Sequence, residues 1–119
     1  MPHFSIGTDI VDVARIQKLL RNKDFLNRIF TAQEQAYCSG KINCAQHFAV
    51  RFAAKEAVWK ALSGLEMRGI GHKEIGVRRD QDGRPSVSLS QRLKKYEKKI
   101  SLSLSHTEEY AVAVALFHP

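Results

Sequence analysis

Apolar positions follow two different periods along this chain, and the change between them divides it into two halves. In the first half they recur about every three to four residues, the spacing of a helix with one buried side. DVARIQKLLRN, residues 12–22, puts Val13, Ile16 and Leu20 on one face. A shorter helical piece, DFLNRIF, ends ahead of Thr31. There TAQE sets a threonine three residues before a glutamate, the pattern of a capping box, and Gly40 sits where that helix should stop. The longest helix is expected over residues 45–63, closed by Gly64. Ahead of all these, HFSIGTDI reads as a short strand leading into a turn, with Asp9 at the strand's end.

In the second half the period shortens to two. EIGVRRD and PSVSLS alternate apolar with polar and are joined by QDGR, whose Asp-Gly pair signals a turn. QRLKKYEKK reads as a helix with a basic face. ISLSLS alternates strictly, with Ile100, Leu102 and Leu104 on one face, and YAVAVALF is a more continuously apolar strand reached through the turn HTEE. The glycine-rich GLEMRGIGH is expected to be a loop. Sequential strands on short turns favour antiparallel pairing. The expected class is α+β, an antiparallel sheet packed with a long central helix and shorter helices. With no repeat, low-complexity tract or linker, residues 1–119 are expected to form a single domain.

Composition narrows the function. A hydrophobic content of 44% suits one modest core, and no apolar run approaches the roughly 20 residues of a membrane span. MPHFSIGTDIV meets an acidic residue at Asp9, unlike a signal peptide. Cys38 and Cys44 have no companion pair, so neither zinc nor a disulfide framework is expected, and a reducing cytoplasm is the natural compartment. The net charge of +7 points to an anionic partner: nucleic acid, membrane, phosphate-rich metabolite or acidic protein.

The stretch RFAAKEAVWKAL carries the most chemistry. On a helical projection Phe48, Phe52, Trp59 and Leu62 share one aromatic arc, and Ala54, Ala57 and Ala61 lie on the far side. Glu56 and Lys60 occupy one seam between those faces; Arg51 and Lys55 flank the aromatic arc on its other edge. Two readings of Glu56 and Lys60 stand. They form an exposed i,i+4 pair worth about 0.2–0.5 kcal/mol, or Glu56 is a metal ligand and Lys60 a phosphate ligand. A hard cation such as Mg²⁺ takes one or two carboxylates together with waters and substrate phosphates. Asp9 is the candidate for the second carboxylate, and as a turn or capping residue it has a plain structural alternative. His106, where ISLSLS ends, is either a turn histidine or part of a site. A hydrolase is excluded: Ser105 and His106 are strand neighbours pointing to opposite faces, and no Gly-x-Ser-x-Gly elbow exists.

IGTDIVDVARI, RFAAKEAVWKAL and SLSHTEEYAVA resemble, in order, the three signatures of the holo-[acyl-carrier-protein] synthases, the small single-domain 4′-phosphopantetheinyl transferases. The resemblance covers essentially the whole chain. It implies the 4′-phosphopantetheinyl transferase fold and Mg²⁺-dependent transfer of the phosphopantetheine arm of coenzyme A to a serine of an acyl carrier protein. Adenosine 3′,5′-bisphosphate leaves, and the product serves fatty acid biosynthesis. Carried over by position, it makes Asp9 and Glu56 the Mg²⁺ ligands and, with Lys60, the catalytic group. Lys60 contacts the pyrophosphate; Arg51 and His106 contact coenzyme A phosphates, including the 3′-phosphate; Thr107 donates a hydroxyl nearby. Gly83, Arg84 and Pro85, in DGRP, line the nucleotide. KALSGLEMRGIG departs from the usual spacing after the helix, which leaves the contacts of its glycines open. The general base, Glu56 or a water beside the metal, is also open.

The resemblance assigns the basic first helix to an acidic acyl carrier protein, with Arg15, Arg21 and Arg28 as charge contacts and Leu19 as an apolar anchor. It also implies a homotrimer with shared active sites, and neither nucleic acid nor membrane as a partner. The competing class is a nonenzymatic module binding RNA or another polyanion. Its support is the charge and the lysine-rich QRLKKYEKK; against it, no strand carries the alternating aromatics of a base-stacking surface.

Overall fold

The computed structural model describes residues 3–65 and 68–119; Glu66 and Met67, within the expected glycine-rich loop, lie outside the described residues. Strand β1 (Ser5–Asp12) buries Gly7 and Val11 and turns Ile6, Thr8 and Ile10 outward, as a period of two requires. It runs further than expected. Asp9 sits mid-strand, paired in register with Ala113, rather than at the strand's end. The capping role falls to Asp12, whose carboxylate accepts from the Ala14 N–H at 2.9 Å to open α1 (Val13–Leu19). Asn22 caps α2 (Lys23–Ile29) in the same way. The capping box holds: Glu34 N–H donates to Thr31 Oγ1 and Thr31 N–H to Glu34 Oε1, starting α3 (Ala32–Ser39), which ends at Gly40.

Helix α4 (Cys44–Ser63) is buried on nearly every side over its middle turns. A helix apolar all round belongs in the core. One side lies on a three-stranded antiparallel sheet of order β1-β5-β4, built from β1, β4 (Ile100–His106) and β5 (Tyr110–Phe117). Small residues are sealed on both elements: Ala53, Ala57 and Ala61 of α4 and Ala111, Ala113 and Ala115 of β5 are all fully buried. Gly7 is required there, because a methyl on it would overlap the Ala57 carbonyl oxygen. The other strands, β2 (Ile75–Arg79) and β3 (Pro85–Leu89), form a separate hairpin rather than joining one sheet. Its turn uses Gly83 at φ +85°, as the Asp-Gly signal predicted. Residues Gln91–Lys99 are helical as expected, but in the 3₁₀ form.

The far side of α4 meets the aromatic cluster, where Phe30 and Phe48 lie 4.8 Å apart and Phe25 reaches Phe52 at 6.1 Å. Trp59 was expected in this arc and is instead 41% exposed. A helical projection contains angle but not height. The contacts from α2 and α3 reach α4 at Phe48, Phe52 and Lys55, and Trp59 lies a turn beyond them. Lys55, expected in a seam, is fully buried.

Candidate active site

Because Gly7 lets β1 rest on α4, Asp9 comes level with the turn of the helix that carries Lys60. The Lys60 ammonium lies 3.4 Å from Asp9 Oδ1 and donates to the Thr8 carbonyl at 2.9 Å. One turn earlier Glu56 projects along the same seam, with Oε1 3.6 Å from His72 Nε2. Both carboxylates are partly open to solvent. The fold thus brings Asp9, 51 residues away in sequence, to Lys60, with Glu56 one helical turn earlier on α4.

A second group of cations lies elsewhere on α4. Arg51 is buried, its guanidinium 4.4 Å over the Tyr37 ring and its Nη1 donating to the His47 carbonyl at 3.3 Å. Its Nε is buried without a partner. Tyr37 also takes Lys41 at 4.5 Å and His47 edge-on. Burial, and after it the charges of Arg51, Lys41, His106 and Arg79, hold the His47 imidazole below its ordinary value. His106, whose charge acts on His47, comes from the end of β4. Beside the cluster opens a cleft of about 450 Å³, lined in part by Thr31, Tyr37, Arg51, Lys73, Arg78 and Arg79. Crowded cations with an unsatisfied guanidinium N–H suit an anion.

The hairpin turn reaches this side through Arg79, whose Nη1 donates to the Gly83 carbonyl at 2.8 Å. Arg84 is exposed, and Pro85 begins β3 opposite Arg79. Thr107 caps its turn, Oγ1 accepting from the Glu109 and Tyr110 N–H groups, which leaves its own hydroxyl hydrogen to donate. Among the described residues no hydrogen bond or ion pair joins these groups to the Asp9–Lys60 strip. At 100° per residue, the midpoint of Glu56 and Lys60 is about 180° around α4 from that of His47 and Arg51. The two groups occupy opposite flanks of one helix.

Arg15, Arg21 and Arg28 are exposed, and Leu19 is half-buried against the core. Arg21 follows α1 rather than lying within it. Sequence reasoning missed Tyr37, Lys41, His47, Arg79 and His72, as well as the Glu34–Lys55 pair. His47 had a signal, one turn before Arg51 on the same helix; the pairing of Glu34 had none, because its capping role already accounted for it.

A family model described as the 4′-phosphopantetheinyl transferase superfamily matches residues 5–115. The holo-[acyl-carrier-protein] synthase of Chlamydia muridarum is 45% identical over 117 residues, 95% of this chain and 93% of that one. That of Protochlamydia amoebophila is 41% identical over 116 residues, 94% of this chain and 95% of the relative. The crystal structure of the Neisseria meningitidis holo-[acyl-carrier-protein] synthase superposes with a TM-score of 0.84 at 32% identity, covering 97% and 98% of the two chains. That from Bacillus anthracis in complex with CoA (3′,5′-ADP) gives 0.77 at 34%, covering 96% and 95%. The fold thus falls in a defined class, and the chain belongs to the 4′-phosphopantetheinyl transferase superfamily. Within it the chain stands with the holo-[acyl-carrier-protein] synthases, and it is an enzyme.

Proposed function

We propose that this protein transfers the 4′-phosphopantetheine group of coenzyme A to a serine of an apo acyl carrier protein, with release of adenosine 3′,5′-bisphosphate. The observation that carries the reading is the convergence of Asp9 and Lys60 across the β1–α4 contact, with Glu56 one turn away. Two partly exposed carboxylates on facing elements are a donor set of hard oxygens, which fits Mg²⁺. Asp9 and Glu56 would hold it. Bound there, Mg²⁺ supplies charge neutralisation and Lewis acidity at the diphosphate.

The chain's own groups do the rest. An ammonium has three N–H donors; Lys60 directs one to Thr8 and one toward Asp9, which leaves one for a diphosphate oxygen. A cation held in that orientation stabilises charge developing on the departing nucleotide without reorganising. Arg51 and His106 bind coenzyme A phosphates, the 3′-phosphate among them, with Thr107 donating beside them and Gly83, Arg84 and Pro85 lining the nucleotide.

One coenzyme A cannot reach both flanks of a helix about 10 Å across by passing through it. We therefore assign the two flanks to one site built from two subunits, in a homotrimer closed by repetition of a single interface. The outer face of the sheet supports this. Ile6 and Ile10 are exposed at 67% and 65%, beside half-buried Val112, Val114 and Leu116, an apolar patch suited to another protein surface. The acidic carrier docks on Arg15, Arg21 and Arg28, with Leu19 as its apolar anchor. The whole chain acts as one domain. Among the described residues no helix is long and apolar enough to cross a membrane, and the free thiols Cys38 and Cys44 accord with the cytoplasm, where fatty acid synthesis would use the product.

The test is the intact mass of apo acyl carrier protein after incubation with this enzyme, coenzyme A and Mg²⁺. A gain of one phosphopantetheine on a single serine is expected, and Glu56→Gln should abolish it while leaving the circular dichroism spectrum unchanged. A carrier that keeps its original mass with the unaltered enzyme overturns the reading.

A further inference from the structure

His72 was no part of the sequence-derived site, yet three contacts converge on it. Its ring stacks on Phe52 at an interplanar angle of 7°, with centroids 6.0 Å apart. Its carbonyl accepts from the Lys55 ammonium at 3.0 Å, and Lys55 is the residue just before Glu56. Lys55 in turn is anchored by Glu34 Oε1 at 2.7 Å and by the Ile75 carbonyl at 2.6 Å. Backbone and ring are thus both held. The imidazole Nε2 that results is buried and has no hydrogen-bond partner. Glu56 Oε1 stands 3.6 Å from it, just beyond hydrogen-bond length.

The stack accounts for a flat ring at position 72, and a phenylalanine would serve it equally. It does not account for a buried nitrogen, which is unfavourable unless an acceptor meets it. We propose that His72 is a positioning residue, its Nε2–H donating to Glu56 Oε1 and holding that carboxylate in the rotamer that binds the divalent ion. The proposal rests on Glu56 being a metal ligand, as assigned above. Groups that hold a metal's ligands in place typically change its affinity by about 10–100-fold when lost, and only a short movement of either side chain closes this contact.

Mn²⁺ alone, titrated into the intact protein and followed by electron paramagnetic resonance of the free ion, tests it. His72→Phe keeps the stack and removes the donor, so Mn²⁺ should bind about 10–100-fold more weakly with an unchanged thermal midpoint. His72→Gln, which restores an N–H, should recover most of the affinity. If His72→Phe binds Mn²⁺ as the unaltered protein does while Glu56→Gln does not, the positioning role is overturned and the metal reading stands. If Glu56→Gln also binds normally, the metal reading falls and takes this role with it. Should His72→Phe fail to fold, His72→Asn, too short to reach Glu56, is compared with His72→Gln. Equal affinities for that pair overturn the proposal.

Discussion

The Lys55 ammonium lies 2.7 Å from Glu34 Oε1, and both side chains are sealed from solvent. Each partner is otherwise fully used. Lys55 donates to the carbonyls of His72 and Ile75, while Glu34 accepts from the Thr31 and Val77 N–H groups. Burial pulls the Lys55 ammonium below its ordinary value, and the Glu34 carboxylate beside it pulls it back. The pair fastens α3 and the edge of β2 to α4 one residue before Glu56.

Lys55→Met should therefore destabilise the fold by about 3–5 kcal/mol, because it leaves a buried carboxylate uncompensated. Urea unfolding measures this. Adding Glu34→Gln should recover part of the loss, since no unpaired charge then remains.

Gly7→Ala probes the contact that brings Asp9 to Lys60. The added methyl would overlap the Ala57 carbonyl oxygen and stand 2.9 Å from Lys60 Cβ. Backbone cannot rotate away as a side chain can, so the strand must lift. A loss of about 1–3 kcal/mol or more in stability is expected, with a larger proportional loss of transferase activity, read by urea titration and by the mass assay.

Glu74 gives the pH dependence. Hydrogen bonds from the Arg92 guanidinium, and then from Ser90 and the Gly71 N–H, bring its carboxyl from the ordinary 4.5 down to about 2. The same guanidinium donates to the Gly69 carbonyl, so this clamp ties down the glycine segment after α4. A depressed carboxyl contributes stability above its unfolded value and loses it as pH falls through its folded one. The contribution should thus be complete at pH 5 and fade between about 4.5 and 2. Carboxyl NMR titration should find Glu74 ionised at pH 3, and Glu74→Gln should flatten the acid slope of stability.

Arg15→Ala, Arg21→Ala and Arg28→Ala should each raise the KM for the acyl carrier protein by about 1.5–5-fold with little change in kcat, as exposed charge contacts do. Steady-state kinetics at rising ionic strength checks the origin. The differences should shrink as salt screens the pairs.

Much of this was legible in sequence because local chemistry wrote it there. The capping box at Thr31, the Asp-Gly turn and the alternation of ISLSLS each depend on neighbours in the chain, and each formed. Trp59 did not follow its arc, because α2 and α3 reach only part of α4, a fact of tertiary length that periodicity does not contain. Asp9 was singled out as a carboxylate before a helix, though the capping work belongs to Asp12. Its meeting with Lys60 depends on Gly7, whose lack of a side chain gives no sign of which helix will use the space. Residues that serve two structures at once, such as Glu34 and His72, show only one of their roles to a reading along the chain.

Crystals of the enzyme with coenzyme A and Mn²⁺, measured at the manganese absorption edge, show whether one ion joins the two carboxylates. One anomalous peak is expected within ligand distance of carboxylate oxygens of both Asp9 and Glu56, with the coenzyme A diphosphate against it and Lys60 alongside. A peak that lacks either carboxylate, in every pairing of subunits, would contradict a metal site built from both.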